Sequence, residues 1–294
     1  MRRRVLSDFN SPPPREVPLS VSLRVLFGGF NNQFGWIFFG FGLIFVWVFA
    51  LHADISSWIV FRLNIRTTMG VIQEIQATNA SENDVQIFEV RYQYFDNLGK
   101  QQSGLSYTTG NPRLGGQVNV EYLSSIPSIS RVVGMRREVF GPAAIFVIIF
   151  PLIGLGFLYS GISYGLKANR LLSHGRIAFG ELISTESTGT RINNRPVLKL
   201  TFSFPSSAGL DWEVTAKTHE PEDLQDEARE PVLYDPDDPS IAVLLDNLPG
   251  PIEFDVNGNL LSSSSLDTVK TLILPGLSLV GHGIYLVLAI FGPL

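Results

Sequence analysis

Three long stretches of the chain carry almost no charge, and the segments between them alternate apolar and polar residues in short runs. Between Arg24 and Asp54 the one ionisable side chain is His52, and the densest part, 35–51, reads GWIFFGFGLIFVWVFAL. Residues 139–166 form a second uncharged run, and 271–294 a third in which His282 alone can ionise. Each offers about the 20 apolar residues that a helix needs to cross a hydrocarbon core of roughly 30 Å. Buried core helices rarely run so far without a charge. The pattern predicts membrane-spanning helices over 25–52, 139–166 and 271–294. A cleaved leader is not expected, because the first apolar run lies behind Arg2, Arg3, Arg4 and the Pro12–Pro14 segment, and no Ala-x-Ala site follows Leu51. Residues 1–20 read as a flexible, mildly basic tail. The segment 55–61, ISSWIVF, is too short to cross and is expected along the interface.

Between the spans the period changes from helical to two. Phe88, Val90, Tyr92 and Tyr94 alternate with polar residues, as do Leu198, Leu200, Phe202 and Phe204, which predicts two half-buried strands. These runs align at an offset of 110 residues, and the same offset places Gly70 on Gly180 and Gly99 on Gly209. After a two-residue insertion, Tyr122, Pro127 and Ile129 fall on Tyr234, Pro239 and Ile241. Matched landmarks at matched spacing imply an internal duplication. Each copy is expected to hold five short strands, near 69–75, 87–95, 103–108, 117–122 and 130–133 in the first. In the second they fall near 178–184, 197–204, 212–216, 231–234 and 241–245. Short antiparallel strands hide their edges by curling, so two small β-barrels or sandwiches, OB-like on strand count, are expected over 66–135 and 175–256. Asn257-Gly258 signals a hairpin, with a linker completing 257–270. The fold class is thus an α+β membrane protein, three transmembrane helices carrying two duplicated antiparallel β-domains.

The pattern Gly70, then Val90-x-Tyr92-x-Tyr94, Gly99, Val118-x-Val120-x-Tyr122 and a Pro-containing turn resembles the bacterial membrane proteins of the domain-of-unknown-function 3592 family. The second copy carries Tyr234-Asp235-Pro236 where the first has Tyr122-Leu123-Ser124. The resemblance covers roughly 66–133 and 175–245 with the adjoining spans. It implies a membrane helix joined to a small β-domain, and it lends no catalytic residue.

Charge adds a topology. One span separates the two β-domains, which places them on opposite sides of the membrane. Near the span ends, Arg15, Arg24, Lys167, Arg170, Arg176 and Lys270 share the tail side, against Arg62, Arg66, Arg131, Arg136 and Arg137 on the other. That bias sets the N-terminus in the cytoplasm, and the family resemblance implies a bacterial cytoplasmic membrane. Residues 53–138 balance eight acidic against eight basic side chains, while 167–270 carry seventeen acidic and nine basic, a net of -8. With a whole-chain charge of -5, nucleic acid is excluded as a partner. The absence of cysteine excludes thiolate chemistry and disulfides.

Candidate chemistry is sparse. His219 and Glu220 sit together, and Asp235, Asp237 and Asp238 could share a hard cation, yet Asp-Pro-Asp-Asp-Pro is also what a tight turn demands. Gly161 and Gly165 have the spacing of a helix-packing pair, and a homo-oligomer through that face is one possibility. No nucleophile motif or phosphate loop occurs, and no cofactor is expected. The leading expectation is a non-enzymatic scaffold or interaction protein whose partners are the lipid bilayer and a membrane or soluble protein. The alternative is a membrane-bound hydrolase or cation-binding domain that uses the acidic turn of the second β-domain.

Overall fold

The computed structural model describes residues 13–61, 64–250, 252–255 and 259–292, so the Asn257-Gly258 turn lies outside the described residues. The chain divides into one unit built from 1–40 and 152–294 and another from Phe41–Pro151. Among the described residues three helical stretches are long and apolar enough to cross a membrane, Gly29–Ala50, Pro142–His174 and Ser265–Phe291. The second runs eight residues past its expected end, taking in Lys167 and Arg170, and the third begins six residues early.

In the larger unit, α1 (Leu19–Phe27), α2 (Gly29–Phe45), α4 (Ile149–His174) and α5 (Ser265–Phe291) meet through small residues and carbonyl groups. A Cβ on Gly154 would stand 2.4 Å from the Phe39 amide nitrogen, and one on Gly35 would stand 2.9 Å from that of Leu158. One on Gly161 would meet the Asn32 amide nitrogen at 2.9 Å, and one on Gly165 the Leu26 Cα at 2.8 Å. As α4 ascends, its partners descend, so α4 runs antiparallel to α1 and α2 with the backbones in direct contact. Between α2 and α5 both numbers rise together. The Gln33 side chain donates to the Thr271 carbonyl at 3.0 Å, Ser278 Oγ to that of Trp36 at 3.4 Å, and His282 Nε2 lies 2.9 Å from that of Gly40. Those two helices run parallel. The outer surface stays apolar, with Leu277 67% and Leu288 62% exposed.

The same unit holds a five-stranded antiparallel sheet in the order β10-β9-β6-β7-β8, made of β6 (Arg176–Ile192), β7 (Arg195–Pro205), β8 (Asp211–Thr218), β9 (Glu230–Tyr234) and β10 (Ala242–Leu244). One face carries Leu200, Phe202, Phe204, Val214 and Val232. The other face of β9 and β10 is covered by Val21 and Val25 of α1 and by Ala168 and Leu171 of α4, through Leu233 and Val243. All five residues of β9 are therefore buried. Arg15 is buried and donates to the Gly175 carbonyl at 2.8 Å and the Leu172 carbonyl at 3.3 Å, placing a cation on the buried carbonyls at the end of α4. Within the tail expected over 1–20, Arg15 is thus anchored to the end of α4.

The smaller unit repeats the arrangement with β1 (Ile65–Glu82), β2 (Val85–Phe95), β3 (Gln101–Thr108), β4 (Gln117–Leu123) and β5 (Ile126–Val132) in the order β3-β2-β1-β4-β5. Registers match by position. Gly70 pairs with Val118 as Gly180 pairs with Glu230, and both central strands shift register at Gln73 and at Ile183, 110 residues apart. Tyr94 stacks near Tyr122 at 5.5 Å between centroids, and Phe204 near Tyr234 at 5.4 Å. The expected barrel or sandwich is corrected: each sheet stays open, because its edge strands, β3 and β5 in one and β8 and β10 in the other, do not pair with each other. In the smaller unit the gap is spanned by a Tyr107–Arg136 bridge and a bond from the Val132 N–H to Ser106 Oγ at 3.0 Å.

Residues 55–61 contain the short helix α3 (Ile55–Val60), capped by Asp54. This buried carboxylate accepts from the Ser57 N–H at 3.0 Å and the Arg137 N–H at 2.9 Å, while the Asp54 N–H donates to the Phe140 carbonyl. It ties the end of one apolar stretch to the start of the next. Asp54→Ala is expected to cost about 2 kcal/mol, since two buried amides lose their acceptor. A chemical unfolding curve in detergent that does not move would show that the clip contributes nothing.

Candidate functional site

The acidic turn of the larger unit is held by its own hydrogen bonds. Asp235 Oδ1 accepts from the Asp237 N–H at 3.0 Å, and Asp235 Oδ2 pairs with Arg170 of α4 at 3.0 Å. Asp238 Oδ1 accepts from the Ser240 N–H at 3.2 Å and its hydroxyl at 2.6 Å. His219 Nε2 lies 3.9 Å from Glu220 Oε1 at the end of β8, a strand separated from β9 in the sheet by β7 and β6. Among the described residues no three His, Asp or Glu side chains group to hold a metal ion. The turn docks the sheet on α4. Gly161 and Gly165 face Asn32 and Leu26 of the same chain, so the face considered for self-association is occupied from within.

The polar constellation that does form lies where the first sheet fails to close. A hollow of 440 Å³ is lined by Ser103 and Gly104 of β3, Ser128 and Ser130 of β5, and Arg137 and Glu138 beyond them. Of these, Ser130 Oγ is bonded to the buried Tyr92 Oη at 2.9 Å. Gly104 is required there, since a Cβ would stand 2.3 Å from the Tyr92 hydroxyl oxygen. Burial pushes the Tyr92 phenol up, so the hydroxyl bonded to Ser130 is a weak acid that does not activate it as a nucleophile. Burial also raises the Glu138 carboxyl, against the pull of His52 and Arg137. The hollow can hold a polar group through hydroxyls and a guanidinium. Among the described residues no hydrogen bond joins one of its serines to a carboxylate or an imidazole.

Sequence reasoning missed Glu230. Its side chain is 1% exposed at the start of β9, Oε1 accepts from the Glu227 N–H at 3.4 Å, and Oε2 has no partner among the described residues. Burial pushes its carboxyl up to about 7; the Glu227 N–H opposes this, and Asp246, Asp226 and Glu227 add like charge. The repeat itself holds the signal, because Glu230 stands in register where the first copy has Val118. Thr78 and Thr188, also overlooked, each donate a hydroxyl bond across the hairpin, to the carbonyls of Ile87 at 2.9 Å and Val197 at 2.8 Å.

No family model matches the chain, and no curated protein is detectably similar to it. A solved structure described as "Structure and Conformational Change of a Replication Protein A Heterotrimer Bound to ssDNA" is similar over 73% of this chain at 10% identity and a TM-score of 0.18. The chain spans 52% of the length of that structure's chain. The exclusion of nucleic acid, drawn from the acidic charge balance, is withdrawn as a correction; the similar structure is itself described as bound to ssDNA. Net charge describes the whole surface and does not forbid a local site. A TM-score of 0.18 carries no argument about what this chain itself binds.

Proposed function

We propose that the chain is a non-enzymatic integral membrane scaffold, resembling the domain-of-unknown-function 3592 proteins, that displays two copies of one β-module through an internal duplication. The observation that carries this reading is how the side chains capable of chemistry are used. Asp235 docks the sheet on α4, Asp238 closes its own turn, and Ser130 is bonded to a phenol. What supports the membrane is the joining of α2 to α5 through three side chain–carbonyl contacts beneath an apolar exterior, an economy suited to a solvent that offers no competing hydrogen bonds.

By the count of crossings alone, one span between the modules sets them on opposite sides of a bacterial cytoplasmic membrane, with the N-terminus inside. The chain has no cysteine, so single probes are clean. Leu98→Cys and Leu210→Cys place thiols at loop positions 84% and 62% exposed. An impermeant maleimide is expected to label Leu98→Cys in intact cells and Leu210→Cys after permeabilisation. Labelling of both in intact cells would overturn the reading.

A further inference from the structure

We propose that the hollow between the start of α2, the start of α5 and the loop at 249–250 binds the headgroup of a phospholipid bearing a primary ammonium, of the phosphatidylethanolamine class. The proposal rests on the membrane reading above. The hollow measures 480 Å³, room for a headgroup, and lies where two apolar helices begin, at Gly29 and Ser265. That position is headgroup depth for a chain whose helices cross a bilayer.

Its lining is arranged in sign. Arg24, 6% exposed, lies beneath Gly250, where an added Cβ would stand 2.9 Å from the guanidinium carbon. Lys270 lines the same hollow, and its Nζ stands 3.5 Å from Asp267 Oδ1, one turn earlier on α5. The Gln33 side chain fixes the floor by donating at once to the carbonyls of Phe27 at 2.8 Å and Thr271 at 3.0 Å. Two cations and one carboxylate match a headgroup with a phosphate and an ammonium, the phosphate toward Arg24 and Lys270 and the ammonium toward Asp267. A purely anionic lipid would leave Asp267 opposed to it and would meet the net charge of -8 on residues 167–270. A choline headgroup offers no N–H to the carboxylate.

The test uses the full chain, purified in detergent, stripped of lipid and titrated with dioleoyl phosphatidylethanolamine while native mass spectrometry counts retained lipid. Phosphatidylglycerol, phosphatidylcholine and inorganic phosphate are the parallel arms. The expected result is one retained ethanolamine lipid, with affinity falling about fivefold in Lys270→Ala. Asp267→Asn is expected to erase the preference over phosphatidylcholine. These side chains are 66% and 53% exposed, so the replacements leave the helix packing intact. Equal retention by wild type and both variants, stronger binding of phosphatidylglycerol, or displacement by inorganic phosphate would overturn the assignment. A chain that stays dissolved without detergent overturns the membrane reading itself; one that needs detergent yet retains no ethanolamine lipid overturns this site alone.

Discussion

Raising the pH from about 5 to 8 is expected to destabilise the larger unit by about 3 kcal/mol, and Glu230→Gln is expected to remove most of that slope. In the unfolded chain the carboxyl titrates near its ordinary 4.5, whereas in the folded protein burial holds it at about 7. Between those values the folded state binds more protons than the unfolded one, so stability falls as pH rises. The contribution is fully present below about 4.5 and lost above about 7, and a shift of roughly 2.5 units corresponds to about 3 kcal/mol. Glutamine keeps an acceptor for the Glu227 N–H and cannot ionise. Thermal midpoints of both proteins across this range decide the matter: parallel curves would mean that Glu230 is solvated and does not carry the effect.

The other large effect is expected at Gly154. Its added Cβ would fall 2.4 Å from a backbone nitrogen and 2.9 Å from the Gly35 carbonyl oxygen, and neither atom can turn aside as a side-chain tip can. Gly154→Leu should separate α4 from α2 and cost several kcal/mol, on the order of 3 or more. Gly156 has open space around its Cβ position, so Gly156→Leu, two residues away, is the matched control and should be near neutral. Detergent-solubilised yield and unfolding midpoint would separate the two. Equal behaviour would mean that the seam is not close-packed.

The three apolar stretches were legible because lipid-length runs without charge are rare in other settings, and the inner strands because Val90, Tyr92 and Tyr94 alternate cleanly. The long arms of β1 and β6 were not. Their outer halves, such as Gln76–Glu82, are exposed on both faces, so no alternation marks them, and they are set by the positive-φ turns Asn83-Asp84 and Asn193-Asn194 together with the Thr78 and Thr188 bonds. Barrel closure was inferred from strand count, which says nothing of whether the two edge strands pair. At the acidic turn the residues were legible and their use was not: Asp235 meets Arg170 across 65 positions of sequence, a pairing that only the docking of β9 on α4 creates. Glu230 was hidden for the opposite reason, since a charged residue in a polar-looking segment gives no hint that both faces of its strand are covered.

That covering has a consequence for how the protein is made. Val21, Val25 and Arg15 leave the ribosome well before the groups they cover, from Leu171 to Val243, which emerge some 150 to 220 residues later. That segment must wait, its greasy side unpaired, until α4 and then β9 and β10 have been synthesised. Contacts of such long range close slowly, and chaperone or bilayer shelter during that interval would decide the yield.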